Sequence, residues 1–283
     1  MIKLDKDTKI LVTGATGFIG KHLTEKLTLL KCTVDSISKE NGDIRDTKLN
    51  LDNYDVIYHL AGISNPTFCD LDSIKAWDVN VNGTMNILRK LKEDQKLVFA
   101  SSAHVYGNKN TPHMDDESLK PKDFYGLTKR VCEDLLLYYS KKVGYRFTIC
   151  RFFNIYGEGQ KKGFILPDVI GKYKSNKKVE INNPRTVRDF LHIKDAINAL
   201  VKAADVDGTF NVSYGTGTKI EDIYKIVKNE IRWEHGEEIV VDNGKDVLIG
   251  DISKAKYEMG WNPKISLEKG IREVIKFYMM HGK

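Results

Sequence analysis

A doubly wound α/β fold is predicted by three features of the chain. The apolar run Ile10-Leu11-Val12 leads into Thr13-Gly-Ala-Thr-Gly-Phe-Ile-Gly20, and a segment with helical periodicity follows. Further short apolar runs lie at Asp55 to Leu60, Lys96 to Ala100 and Tyr145 to Arg151, with helical stretches between them. Buried parallel strands read as continuous runs of this kind, and strands alternating with helices build a parallel sheet covered on both faces. No repeat or low-complexity linker separates the later part of the chain, so a smaller second α/β lobe is interleaved with the first.

The glycine turn is the organising element. Phe18, Ile19, Leu23, Leu27 and Leu30 recur on one helical face behind it. Gly14, Gly17 and Gly20 permit a tight turn, close approach of backbone to a pyrophosphate, and close helix-on-strand packing; the helix N-terminus adds free N–H groups and positive dipole. A purely structural turn is the alternative, but the strand before and the helix after favour a nucleotide. The predicted ligand is a dinucleotide, held by Gly14, Thr16, Gly17, Phe18 and Ile19. The spacing Gly-x-x-Gly-x-x-Gly differs from the Gly-x-Gly-x-x-Gly of ordinary dehydrogenases. Thr-Gly-x-x-Gly-Phe-Ile-Gly resembles the extended short-chain dehydrogenase/reductases, the family of nucleotide-sugar epimerases, dehydratases and ketoreductases. That resemblance implies a Rossmann-like sheet at residues 1–157, with returning segments near 186–215, and a substrate lobe made mainly of 158–283.

Composition bounds the rest. The 283 residues are 41% hydrophobic and 30% charged, as in a globular protein that stays in water. The charged N-terminus lacks an apolar signal region and no run approaches a membrane span, so a cytoplasmic protein without membrane contact is expected. The four cysteines form no close pair, and no metal site or disulfide is indicated. Residues 161 to 188 carry eight basic and two acidic side chains, an excess equal to the whole net charge of +6. A solvated face explains most of them and an anionic ligand the remainder. Without interleaved aromatics, nucleic acid is not expected.

The second strand is predicted at Thr33 to Ile37. An acid about 20 residues past the glycines holds the ribose of NAD; here that neighbourhood is Ser36-Ile-Ser38-Lys39-Glu40. A strand reaching Ile37 puts Ser38 and Lys39 at the spot and suits the 2′-phosphate of NADP, whereas one ending at Val34 offers Asp35 to NAD. NADP is favoured. Asn41-Gly-Asp43-Ile44-Arg-Asp46 resembles the family segment beneath the adenine, which implies contacts from Asp43 and Ile44; a surface turn is the alternative. Leu60, Ala61 and Gly62 end the third strand where a cofactor passes close to backbone, and His59 is read as a packed strand histidine. A helix follows, in which Asn80-Val-Asn-Gly83-Thr84 resembles a family motif whose asparagine supports the helices around the active site.

Ser102 follows the strand Lys96 to Ala100, at the carboxyl edge where ligands of doubly wound sheets gather. Tyr125 and Lys129 begin a helix. Tyr-x-x-x-Lys occurs four times, at Tyr125, Tyr138, Tyr173 and Tyr224, so spacing alone selects nothing; the upstream serine and glycine turn select the first. Residues i and i+4 share a helix face, and an ammonium beside a phenol is expected to lower its pKa, giving an acid or base usable near neutral pH. Lys129 can also hold the nicotinamide ribose. The family's dehydratases carry an Asp-Glu pair after this serine; Ala103-His104 stands here, so dehydration is not expected, and His104 is a further candidate proton donor.

Arg151-Phe-Phe-Asn154-Ile-Tyr156-Gly157 resembles the family's junction between lobes, implying that Asn154 holds the substrate diphosphate. Thr186-Val-Arg188-Asp-Phe resembles the segment whose arginine binds nucleotide phosphate, the alternative being an ion pair of Arg188 with an aspartate. Val179, in a strand at Val179 to Ile181, joins them as a candidate contact. A helix from Leu166 to Tyr173 belongs to the same lobe. Thr218-x-x-Glu221 reads as a capping box before a helix bearing Ile220, Ile223, Val227 and Ile231, and Leu267, Ile271, Val274 and Tyr278 mark the last helix. The reading is an NAD(P)-dependent enzyme reducing a nucleoside-diphosphate 4-keto sugar at C4, with a 4-epimerase using retained NAD close behind and a homodimer expected by resemblance. A non-catalytic NAD(P)-binding sensor or scaffold is the alternative of another class.

Overall fold

The computed structural model describes residues 4–175, 178–233, 236–242 and 244–281. The first half alternates as expected: β1 (Lys9–Thr13), α1 (Phe18–Leu29), β2 (Thr33–Ile37), β3 (Val56–His59), α2 (Pro66–Leu71), α3 (Ser73–Trp77), α4 (Gly83–Leu88), β4 (Lys96–Ser102), α5 (Phe124–Val143) and β5 (Arg146–Phe152). The remainder is β6 (Asn154–Tyr156), α6 (Ile165–Ser175), β7 (Lys178–Asn182), β8 (Val187–His192), α7 (Ile193–Ala203), β9 (Gly208–Val212), β10 (Gly217–Lys219), α8 (Ile220–Ile231), β11 (Glu237–Val241), β12 (Val247–Leu248), α9 (Ser253–Glu258) and α10 (Leu267–His281).

Six parallel strands form the main sheet in the order β2-β1-β3-β4-β5-β9. The chain leaves β1 towards β2 on one side and returns to β3 on the other, so the topological switch point, where such sheets bind ligands, falls between β1 and β3. Strand residues alternate between two cores. Ile10, Val12, Val56, Tyr58 and Val98 pack with Leu23 and Leu27 of α1, Ala196 and Leu200 of α7, and Trp261. Leu11, Ile57, Leu97, Phe99 and Ile149 pack on the other face with Leu88 of α4 and Cys132 and Leu136 of α5. The returning segment after β8 thus contributes α7 and the sixth strand β9 to the first lobe.

The second lobe has its own core, in which Leu166 and Ile170 of α6, Val179 and Ile181 of β7, Ile223 and Val227 of α8, and Ile271 and Val274 of α10 are buried together. β8 is flanked by β10 and β12 and pairs also with β6, while β7 pairs with β11. Among the described residues no helix is long and apolar enough to cross a membrane.

Three local expectations differ from the structure. The helix expected around Asn80 is broken into α2, α3 and α4 with a π-helical turn at Asp78–Asn82. Leu30 lies one residue beyond α1. Thr218 does not cap α8: it pairs with Arg188 in β10, and the helix starts from Lys219 with no side-chain cap. Backbone carbonyls serve instead, since Ile220 N–H donates to Thr186 O at 2.9 Å and Glu221 N–H to Pro184 O at 3.0 Å; sheet pairing overrides a local capping signal.

α10 comes close enough to β6 and β8 that a Cβ on Gly270 would strike the Tyr156 hydroxyl and fall 2.8 Å from the His192 ring. Gly270→Ala is therefore expected to destabilise the fold by about 1–3 kcal/mol through overpacking, read as a lower urea midpoint at unchanged slope.

Candidate active site

The glycine turn is set by contacts with strand ends. Gly14 has φ +72°, and a Cβ there would lie 2.8 Å from Ala61 N, so only glycine meets both demands. Gly14 N–H donates to Ile37 O at 2.7 Å, which ties the turn to the end of β2. Gly17 is the N-cap of α1 and makes no side-chain capping bond, leaving the first-turn N–H groups to face a ligand. These residues fit a dinucleotide pyrophosphate: backbone donors, positive dipole, and no side chain in the way.

A buried polar chain connects this turn to the helix bearing Tyr125. Thr13 Oγ1 accepts from Ala61 N–H at 3.2 Å and donates to His59 Nδ1 at 2.8 Å. His59 Nε2 then donates to Thr84 Oγ1 at 2.9 Å, and Thr84 donates to the Asn80 carbonyl. Burial, with the charge of Lys129, brings the His59 pKa down to about 3, so the ring stays neutral and keeps this polarity. His59 is a packed strand histidine, as expected. The Asn80 side chain accepts from Ile63 N–H at 2.7 Å and donates to Ile63 O at 3.0 Å and to Thr128 Oγ1 at 3.1 Å. Asn80 thereby fastens the exit of β3 to α5 beside Lys129.

α5 begins at Asp123, whose carboxylate accepts from Gly126 N–H at 2.7 Å. Its other oxygen lies 2.6 Å from His104 Nδ1. Burial raises the Asp123 pKa, but these two hydrogen bonds outweigh it and the net shift is downward. His104 packs edge-on against Tyr125, ring centroids 5.5 Å apart, and remains partly open to solvent. Ser102 lies close enough to Tyr125 to oppose the rise in its pKa, and Ser102 Oγ accepts from His104 N–H at 3.2 Å. Lys129 Nζ donates to Ala100 O at 2.8 Å and stands 6.0 Å from the Tyr125 ring centre. A Cβ on Gly62 would lie 3.7 Å from that ammonium, so the end of β3 and Lys129 face the same space. Ser102, His104, Tyr125 and Lys129 are brought together.

The expected acidification of the phenol is not what the structure shows. Burial raises the Tyr125 pKa, with Ser102 opposing, and burial lowers that of Lys129. Desolvation is the dominant cause at both groups.

Beyond β2, Ser38 N–H donates to Asn41 Oδ1 at 2.7 Å, and Lys39 is exposed. Asp35 accepts from the Tyr54 hydroxyl at 2.9 Å. Glu40 Oε2 accepts from Thr16 Oγ1 at 3.1 Å, an acid against the glycine turn that sequence reasoning passed over. Asp43 is bound by Arg45, which also reaches Asp78, and Ile44 is buried against Gly83; both hold the segment to the first lobe.

Asn154 and Arg188 line a cavity of about 530 Å³ in the second lobe, with Gln160, Asn182, Thr186 and Asp246. The lining does not include Tyr125. Lys122, in the loop before α5, has its Nζ 3.9 Å from Asp246 Oδ1 on the cavity wall. Arg188 Nη2 donates to Asp246 Oδ2 at 2.6 Å, the ion-pair alternative foreseen for it, while Asp246 Oδ1 has no hydrogen-bond partner. Val179 is fully buried in the second core and is absent from the cavity wall; alternation along β7 turns it inward. Glu158, His192 and Glu273 also cluster, but Lys194 Nζ bridges both carboxylates at 3.1 and 2.6 Å. His192 Nδ1 accepts from Lys194 N–H, so the nitrogen aimed at the carboxylates carries the proton and is a donor.

A parallel sheet with a glycine turn at its switch point and a Ser-Tyr-Lys set at its carboxyl edge defines a dinucleotide-binding protein of the extended short-chain dehydrogenase/reductase type. Residues 10–213 match the family described as NAD dependent epimerase/dehydratase, and the chain belongs to that family. It is 30% identical to a Methanocaldococcus jannaschii protein provisionally named UDP-glucose 4-epimerase, over 95% of this chain and 97% of that one. It is 25% identical to the dTDP-4-dehydro-6-deoxyglucose reductase of Escherichia coli, over 94% and 96%. The crystal structure of Thermotoga maritima UDP-glucose 4-epimerase with UDP-glucose superimposes with a TM-score of 0.89 at 25% identity, covering 98% of this chain and all of that one.

Gly14→Ala adds both strain at positive φ and a clash with Ala61. It is expected to cost roughly 1–3 kcal/mol and to abolish dinucleotide retention, measured by urea unfolding and by titration of nicotinamide fluorescence.

Proposed function

We propose that this chain reduces a nucleoside-diphosphate 4-keto-6-deoxy sugar at C4. The observation that carries this reading is the placement of Tyr125 beside Ser102 at the carboxyl end of β4, with Lys129 one turn along the same helix face and tied to Ala100 O. A bound nicotinamide supplies the hydride in such chemistry. Ser102 donates a hydrogen bond to the ketone oxygen, and Tyr125 delivers the proton that this oxygen takes up. Lys129, whose Nζ lies 4.8 Å from the centre of the Phe99 ring, stabilises the phenolate that remains. His104, fixed by Asp123, faces the same phenol and contributes a second donor to the sugar. In the second lobe Arg188 and Asn154 bind the diphosphate, and Asp246, with one carboxylate oxygen free of hydrogen bonds, accepts from ligand hydroxyls.

NADP is the proposed cofactor, because β2 runs to Ile37 and Asp35 is engaged by Tyr54, leaving Ser38 and Lys39 beside the expected ribose. A 4-epimerase acting through retained NAD is the second reading, favoured by the names of the M. jannaschii and T. maritima relatives.

Purified protein mixed with NADPH and a nucleoside-diphosphate 4-keto-6-deoxyhexose is expected to consume NADPH. Tyr125→Phe should lower kcat by about 10²- to 10⁴-fold with cofactor affinity unchanged. No consumption, tightly retained NAD and interconversion of C4 epimers would reject the reductase in favour of the epimerase.

Cofactor choice is tested separately. Removing the negative charge at the glycine turn in Glu40→Gln should lower KM for NADPH several-fold, and Lys39→Ala should raise it, while KM for NADH moves less; equal shifts for both cofactors would discard the 2′-phosphate assignment.

A further inference from the structure

We propose that Glu133, clamped by Arg151, is a positioning residue that fixes the register of α5 against the end of β4 and so places Tyr125 and Lys129; this rests on the reaction proposed above.

Tyr125, Lys129 and Glu133 stand at i, i+4 and i+8, one stripe of the helix. Each ties to one of three consecutive residues ending β4. Tyr125 faces the Ser102 side chain, Lys129 Nζ donates to the Ala100 carbonyl, and Glu133 accepts from the Ser101 hydroxyl. The first two ties belong to groups that must engage ligands during turnover. The third does not, and it is the one that is locked. Arg151 Nη2 donates to Glu133 Oε2 at 2.7 Å and its Nε to both oxygens at 3.1 and 3.2 Å, with the two side chains 7% and 2% exposed. Arg151 lies on β5, where it is the register partner of Ser101. It is held in turn by the Tyr106 hydroxyl at 2.7 Å and the Asp115 carbonyl at 2.8 Å. Glu133 is thus a fixed anchor one turn behind the working pair.

Its charge has a second consequence. Burial lowers the Lys129 pKa, and Cys132 and Glu133 on the same helix and Cys69 on α2 oppose that. His59, on β3, is neutral; Tyr125 shares the stripe, and β4 offers only the Ala100 carbonyl and the Phe99 ring. Glu133 is the buried carboxylate among these groups, so neutralising it lowers the Lys129 pKa further. The ammonium is then lost at a lower pH.

Glu133→Gln keeps the shape and removes the charge. In the full-length enzyme it is expected to lower kcat about tenfold to a hundredfold with KM little changed. The alkaline limb of the kcat profile should move down by roughly one pH unit, and amides of residues 124–133 should exchange faster than those of the sheet. Ser101→Ala removes the tie but leaves the Glu133–Arg151 pair, so kcat should fall less and the profile should stay in place. Unchanged exchange in 124–133 for Glu133→Gln overturns the proposal whatever the activity, as does an unshifted profile at wild-type kcat. Faster exchange throughout the sheet would mark a general loss of fold and also overturn it. If the wild-type protein turns over no 4-keto nucleotide sugar, the reaction assignment fails by itself, and the exchange comparison still decides the anchor.

Discussion

An ammonium taken out of water must find acceptors or lose its proton, and the arrangement of this protein's first lobe follows from how Lys129 meets that requirement. Its hydrogen-bond acceptor is the Ala100 carbonyl at 2.8 Å, and the Phe99 ring covers it at 4.8 Å. Both belong to β4, so the lysine can stay charged only if α5 lies at one height and one rotation against that strand. Removing one partner of a buried ion pair costs on the order of 3–5 kcal/mol. The Glu133–Arg151 pair therefore couples the placement of the helix to the stability of the lobe.

The same demand for satisfied buried polar groups explains why the glycine turn and the Tyr125 helix, more than 100 residues apart in sequence, form one site. Thr13, His59, Thr84 and Asn80 pass hydrogen bonds in one direction from the β1 end to the π-helical turn. A π-turn inserts an extra residue and often marks a functional position. Here it lets Asn80 face Ile63 and Thr128 together. A neutral His59 is essential to the relay, because an imidazolium would present two donors and break its direction.

What was legible in the sequence was what short-range spacing encodes. The glycine turn, the β2 boundary at Ile37, and the Ser102, Tyr125 and Lys129 set depend on residues near in sequence or on strand order. The competing Tyr-x-x-x-Lys pairs fall elsewhere: Tyr138 is exposed, Tyr173 donates to Glu238, and Tyr224 is packed in the second lobe. Glu40, Asp246 and Arg151 were missed because their partners lie 24, 58 and 18 residues away, distances at which no periodicity operates. Thr218 was misread for the opposite reason: a strong local motif lost to pairing with Arg188. Glu133 could have been found, since it continues the Tyr125–Lys129 stripe by one more turn. Val179 could have been placed too, since Val179 and Ile181 alternate with charged and polar neighbours in a strand buried on one face.

The two lobes meet their electrostatic demands differently. In the first, Lys129, Glu133 and Asp123 are each held by hydrogen bonds to strand, helix or buried side-chain groups, so little around Tyr125 is left to reorganise. In the second, Arg188 is held by Asp246 in a cavity, and one oxygen of that aspartate has Lys122 at ion-pair distance but no hydrogen bond. Arg188 donates to the Asp246 carboxylate and to the Val187 and Asp246 carbonyls, and a guanidinium with five N–H groups still has donors to spare. Rigidity is placed around Tyr125 and spare hydrogen-bonding capacity around Arg188. With the two kept in separate lobes, a change confined to the second lobe can alter what its cavity accepts without disturbing the first.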